Sequence, residues 1–342
     1  MKCSMAVFLV AMCSLASPPA RSADEFGIFE TIHESSVSFS ETVDAVESAL
    51  QSSMLLLHAA HDVRLPDATH EARIYVLTSP AFVAAASAES PRTVSAQALR
   101  IAVFTLGAEK KTFVNMANPV AHAMVFYADS PNYDALISAA GAAADELRQL
   151  VAPIPGRPVR VPMKPLRTEK HYNKFKGDGP ARVMAKFRTW DKSQLLIEED
   201  AAENFDAVVA RVSQGLGRST VADASEAKGW DVVAKINIRN DAVYIGLSNP
   251  FIEDRMVRIN SRFRSDNKTD AAPYPGVDHM AALPTDVLIV KEDGKTLVLH
   301  YGQMWRMQLY FWDSGYRAFT ANMGVPGAIS ESIEAAIAGA GN

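Results

Sequence analysis

Val243-Tyr244-Ile245-Gly246-Leu247-Ser248-Asn249-Pro250-Phe251 is a β-branched and aromatic run that ends in Ser and passes into a turn with Pro and Phe. Its composition is that of a strand. A counterpart lies in the first half of the chain, Ile74-Tyr75-Val76-Leu77-Thr78-Ser79-Pro80-Ala81-Phe82. Three further matches keep the same order. Ile101-Ala102-Val103-Phe104 matches Val287-Leu288-Ile289-Val290, and Lys111-Thr112-Phe113-Val114 matches Lys295-Thr296-Leu297-Val298. Val125-Phe126-Tyr127-Ala128-Asp129-Ser130 matches Leu309-Tyr310-Phe311-Trp312-Asp313-Ser314. Ordered internal similarity of this kind predicts two related units.

Working outward, strands are expected at Phe26–Ser38, Met54–Val63, Arg73–Thr78, Leu99–Leu106, Thr112–Met116 and Ala121–Ala128 of the first unit. A helix starts near Phe39, with Ser40 as its cap, and another runs from about Tyr133 to Val151. In the second unit, strands are expected at Arg182–Ile197, Asp231–Ile238, Ala242–Leu247, Asp286–Val290 and Thr296–Trp312. Helices are expected at Ala201–Gly215 and Ala328–Ala338. Glu292-Asp293-Gly294 between two apolar runs is a hairpin signal. The fold class is therefore α+β: two similar domains, each a mostly antiparallel sheet with helices packed on one face. The expected division is 1–23, 24–152, 153–181 and 182–342.

Residues 1–23 read as a secretory signal peptide: Lys2, an apolar run from Met5 to about Leu15, then small residues and prolines. The apolar run is shorter than the ~20 residues that cross a bilayer. Cys3 and Cys13 both lie in this segment, and Met12 before Cys13 does not suit lipidation. After cleavage the chain has no thiol, and so no disulfide, cysteine nucleophile or thiolate ligand. A periplasmic or secreted location is expected. The whole chain has net charge −5, and the leader carries two positive charges and no acidic ones. An acidic chain is a poor general nucleic-acid binder, and no later apolar run is long enough to span a membrane.

Between the units lies a Pro-rich stretch, Pro153-Ile154-Pro155-Gly156-Arg157-Pro158-Val159-Arg160-Val161-Pro162-Met163-Lys164-Pro165, expected to be extended. From Arg157 to Arg188 it gathers ten basic residues against Glu169 and Asp178. These charges either dock an anionic partner or pair with acidic faces of the two domains.

The second unit resembles the bacterial family known only as domain of unknown function 302. The resemblance rests on Ser248-Asn249-Pro250, on Leu283-Pro284 before the Asp286 strand, and on Gly294-Lys295-Thr296 leading to Tyr301, and covers about Asn204 to Trp312. The first unit looks like a divergent copy, with Ser79-Pro80 in place of Asn-Pro and no Leu-Pro before Leu99. The resemblance implies a small α+β domain, found singly or in tandem, and no established reaction.

No serine nucleophile elbow, zinc His-Glu motif, phosphate loop or dinucleotide fingerprint occurs. Two readings of the candidate sites stand side by side. If residues 296–312 form one strand, His300, Met304, Arg306 and Gln308 share a face suited to a polar or anionic ligand, with Tyr301 beside them. Ser248 and Asn249 would join them, although Asn249-Pro250 is also an ordinary helix start. This reading is a binding protein for a small ligand or a periplasmic protein, with no cofactor. The other is copper handling through Met116, His122, Met124, His300 and Met304, the thioether and imidazole ligands copper accepts where thiols are absent. An enzyme with His300 as general base and Arg306 stabilising an anion is a third.

Overall fold

The computed structural model describes residues 24–66, 70–174, 194–200, 205–218, 223–259, 261 and 274–339. The expected signal segment lies outside the described residues, as do Lys176, Arg182, Lys186 and Arg188 of the basic stretch. In chain order the first half contains β1 (Glu25–Phe26), β2 (Phe29–Ser35), α1 (Phe39–Gln51), β3 (Leu56–Asp62), β4 (Ala72–Thr78), α2 (Pro80–Ala85), a 3-10 segment (Pro91–Gln97), β5 (Leu99–Leu106), β6 (Lys111–Ala117), α3 (Pro119–Phe126) and α4 (Tyr133–Val151). There follow β7 (Gly156–Pro162), β8 (Arg167–Thr168) and α5 (Glu169–Asn173). The second half contains β9 (Gln194–Asp200), α6 (Phe205–Arg218), β10 (Asp231–Arg239), β11 (Ala242–Ser248), α7 (Pro250–Val257), a second 3-10 segment (Pro275–Ala282), β12 (Thr285–Glu292) and β13 (Lys295–His300). It ends with α8 (Gln303–Phe311), α9 (Gly315–Ala321) and α10 (Val325–Ala338).

The class is α+β. The first sheet has the order β3-β4-β5-β6-β2-β7 and the second β10-β11-β12-β13-β9, with every pairing antiparallel. Five consecutive strands thus follow the same order in both halves. Asp293-Gly294 closes the β12–β13 hairpin with positive φ at both residues, as a two-residue loop requires. The cap of α1 is Ser38 rather than Ser40. Ser38 and Glu41 form a reciprocal capping box there, which satisfies two orphan N–H groups.

Three expectations change. Residues 121–126 and 303–311, read as parts of the strands Ala121–Ala128 and Thr296–Trp312, lie in the helices α3 and α8. Seven of the eight residues of α3 are buried, so no polar face shows a 3.6-residue period, and in α8 the half-buried residues are the apolar Met304, Met307 and Phe311, which give no polar face either. The Pro-rich stretch is extended as expected, but Gly156–Pro162 is paired to β2 as the edge strand of the first sheet. Its prolines are tolerated because an edge strand has an unpaired side. Arg157 pairs with Glu34 at 2.6 Å and Arg160 with Asp145 at 3.3 Å, so these two charges meet acids of the first half.

Each sheet is covered on one face by helices of its own half. The opposite face is covered by the other half. Pro275–Ala282 packs against β4, β5 and β6, and Pro91–Gln97 packs against β11 and β12. Buried side chains of both halves join one continuous hydrophobic core.

Register assigns the faces. Val76 pairs with Arg100, and Gly246 with Asp286, so Arg100 and Asp286 stand at corresponding places on the two inner faces. Tyr75 and Tyr244, which align in the two sequence runs, do not correspond. Tyr75 stands four residues before the cap Ser79, and Tyr244 five before the cap Asn249. One residue of slip changes the face of a strand. The Tyr75 hydroxyl donates to Glu47 of α1, whereas that of Tyr244 reaches Asp286 between the halves.

Candidate functional site

The buried charged residues of β5 and β12 are their second residues, Arg100 and Asp286. Both are buried where the inner faces meet. Two helices supply their partners. Four residues past the cap Asn118 of α3 stands His122, and four past the cap position Gly302 of α8 stands Arg306. Eight past the same positions stand Phe126 and Tyr310. Corresponding sites thus hold an Arg–His pair in the first half and an Asp–Arg pair in the second.

Arg306 Nη1 donates to Asp286 at 2.7 Å, and its Nη2 donates to the carbonyls of Ala282 (3.1 Å) and Pro284 (3.4 Å). Asp286 also accepts from Ser95 of the first half. Arg100 Nη2 lies 2.9 Å from both His122 Nε2 and the Tyr310 hydroxyl. His122 Nδ1 lies 2.8 Å from the Asn118 carbonyl, which can only accept, so the ring proton is on Nδ1 and Nε2 is the acceptor. Tyr310 donates to that Nε2 at 2.8 Å. Burial, followed by the adjacent Arg100 charge, lowers the His122 pKa to about 3, and the imidazole is neutral. Both guanidiniums lie over the Tyr310 ring, each 5.5 Å from its centroid.

Tyr310 and Arg306 also line a cavity of about 70 Å³ between α7, α8 and α10. Its polar end is made by Thr285, Gln303, Arg306 and Tyr310, and its apolar wall includes Ile252, Met256, Met307, Phe311 and Ile329. On α8 the cavity takes residues 303, 306, 307, 310 and 311, one face of a helix by the three- and four-residue rule. A wider open groove of about 740 Å³ between α6 and α10 is lined by Gly215, Phe251, Ala328, Ser332 and Ala335, with charges such as Arg218, Lys228 and Glu331. No charged residue lining that groove is buried, in contrast to Arg306.

The residues singled out by sequence are therefore divided. Arg306 reaches the cavity, whereas Met304 and Gln308 do not line it. His300 is buried at the end of β13; its Nδ1 donates to the Tyr301 carbonyl at 2.7 Å and its Nε2 has no hydrogen-bond partner. Tyr301 donates to the Arg92 carbonyl of the first half at 2.5 Å. Ser248 donates to Glu253 at 2.7 Å, and Asn249 caps α7 while donating to the Gly229 carbonyl at 3.0 Å. Met116 lies in β6, and Met124 stands two residues from His122 on α3, a spacing that sets side chains on different sides of a helix. His122 has both nitrogens engaged, one of them by a cation, and a metal ion would have to displace Arg100. Among the described residues no three His, Cys, Asp or Glu side chains are placed to hold a metal.

A second polar junction ties the edge strands together. Glu253, fully buried, accepts from His61 Nε2 at 2.6 Å, from the Arg64 backbone and side chain at 2.9 Å each, and from Ser248. Burial alone would raise its pKa; the His61 and Ser248 hydrogen bonds and the charges of His61 and Arg64 outweigh it and hold the carboxyl below its ordinary value.

Arg100, Asp286, His122 as an Arg100 partner, and Tyr310 were not anticipated as a group. Their one sequence signal is a lone charge inside an apolar strand run, since Arg and Asp are seldom fully buried without partners. Among the described residues no helix is long and apolar enough to cross a membrane.

No protein-family model matches the chain, and no curated protein matches it. Among solved structures the chain is similar to an uncharacterised conserved DUF302 protein from Bacillus stearothermophilus. The identity is 16%, the match covers 36% of this chain and 95% of that one, and the TM-score is 0.30.

Proposed function

We propose that this is an exported binding protein, periplasmic or secreted, that holds a small ligand in the cavity between α7, α8 and α10. One observation carries the reading: an apolar cavity with a few convergent polar groups, one of them a buried arginine. The composition of residues 1–23 supports export. The common strand order, with the sequence resemblance of residues 204–312, supports a tandem pair of DUF302-like units. The cavity is far smaller than the ~300–1,000 Å³ of drug-sized sites, so the ligand has few atoms or enters as α10 shifts. Copper handling finds less support, because His122 faces a guanidinium and Met124 lies off its side of the helix.

Native mass spectrometry with elemental analysis, on protein purified without chelators or tag, tests the proposal. The expected result is a retained or re-addable small organic mass that is lost in Ile329→Phe, which fills the cavity. A bare mass, joined to no thermal shift across a small-molecule library, would overturn it; a stoichiometric metal would move the reading to metal handling.

A further inference from the structure

We propose that the ligand of this cavity is a small uncharged alcohol, its hydroxyl held by Thr285 and Gln303 and its chain packed on the apolar wall; the inference rests on the binding reading above. The buried end of the cavity is polar but offers no unmatched charge. Arg306 is engaged there by Asp286 and by the carbonyls of Ala282 and Pro284. The Tyr310 hydroxyl is engaged by His122 and Arg100. Both residues are therefore walls rather than binding groups. An ion set against them would leave water without a counter-charge, which is costly.

Two groups remain at that end. Thr285 and Gln303 are buried and line the cavity. The Gln303 amide nitrogen donates to the Tyr301 carbonyl at 3.1 Å, which leaves Oε1 to accept. Among the described residues neither that oxygen nor the Thr285 hydroxyl has a hydrogen-bond partner. Oε1 can only accept, whereas the threonine hydroxyl can do either. A ligand hydroxyl completes both, donating to Gln303 and accepting from Thr285. A carboxylate or ketone has no proton for Gln303, and an ammonium brings an unmatched charge. The apolar wall, with Met256, Met307 and Ile329, takes the chain. The volume of about 70 Å³ has room for roughly five water-sized spheres, the scale of n-butanol. The competing account is Arg255, an exposed lining residue whose guanidinium lies 5.2 Å from the Phe251 centroid and would favour an anion.

The test titrates n-butanol against the full chain and reads isotope-labelled methionine methyl groups by NMR, with butyrate and n-butylammonium as charged controls. The expected result is a saturable shift of Met256 and Met307, which line the cavity, while the exposed Met54 and Met323 stay in place. The charged controls should move none of the four. Thr285→Val keeps the shape and removes the hydroxyl. It should weaken n-butanol about three- to tenfold, the worth of one neutral hydrogen bond, and leave n-pentane unchanged. Should that variant fail to fold, diethyl ether decides in the wild type: this isomer cannot donate to Gln303 and should bind several-fold more weakly than n-butanol. No saturable shift with n-butanol would overturn the inference. In that case, binding of another compound blocked by Ile329→Phe leaves the binding reading standing, and its absence removes both. Equal effects of Thr285→Val on n-butanol and n-pentane would also overturn it, leaving an apolar hole that does not read a hydroxyl. Butyrate binding as tightly as n-butanol would overturn it in favour of Arg255.

Discussion

His122 shows how one residue couples the junction to pH. Its imidazole is neutral in the fold, with a pKa lowered to about 3 by burial and by Arg100, against about 6.5 when unfolded. Between these values the unfolded chain binds one more proton than the folded one. Stability therefore falls as pH drops through 6.5 and levels off below about 3. Burial also lowers His33, His58 and His300, which add to the same trend. His122→Gln should remove one proton from this dependence, a slope of about 1.4 kcal/mol per pH unit across the window. Urea unfolding from pH 7 to 4 measures it, and an unchanged slope would reject the assignment to His122.

At the scale of elements, the helix starts decide the outcome. Asn249 accepts from Ile252 N–H at 2.9 Å and donates to the Gly229 carbonyl at 3.0 Å. Asn249→Ala should cost about 1–2 kcal/mol, read by chemical denaturation, while ligand retention stays intact because the residue does not line the cavity. The same Asn-Pro signal stands at Asn118-Pro119, where it starts α3. It was legible there, but the apolar run beyond it outweighed it, since seven of the eight residues of α3 are buried and no polar face shows the period. Gly302 falls inside the strand expected over Thr296–Trp312, and it is the cap position of α8. Strands β4, β5, β11 and β12 and the long helix α4 were legible to within two residues, because continuous β-branched and aromatic runs mark the strands and an amphipathic period marks the helix. The cavity was not, since it gathers residues from 252 to 329 whose approach depends on where α10 lies. Nor was the Arg100 cluster, which exists only once β5 and α8 are brought together.

For the whole molecule, the crossed packing of the two 3-10 segments bears on cooperativity. Each sheet lacks a cover for its inner face until the other half is folded. Arg92 pairs with Glu292, Arg239 donates to the carbonyls of Ala86, Ser87 and Glu89, and Arg64 and His61 meet Glu253 across the same junction. Calorimetry should therefore show one transition, with calorimetric and van't Hoff enthalpies in agreement. Two separated transitions would mean that the halves hold their cores independently. Below the ordinary carboxylate range this transition should move to lower temperature, as Glu253 takes up a proton and gives up its hydrogen bonds with His61 and Arg64. The corresponding positions Arg100 and Asp286 carry opposite charges near the middle of this junction. Two copies of the first half, joined in the same way, would set arginine against arginine, and two copies of the second would set aspartate against aspartate. A single polypeptide avoids both outcomes, because tethering guarantees that every first half meets a second one, at fixed stoichiometry and at any dilution.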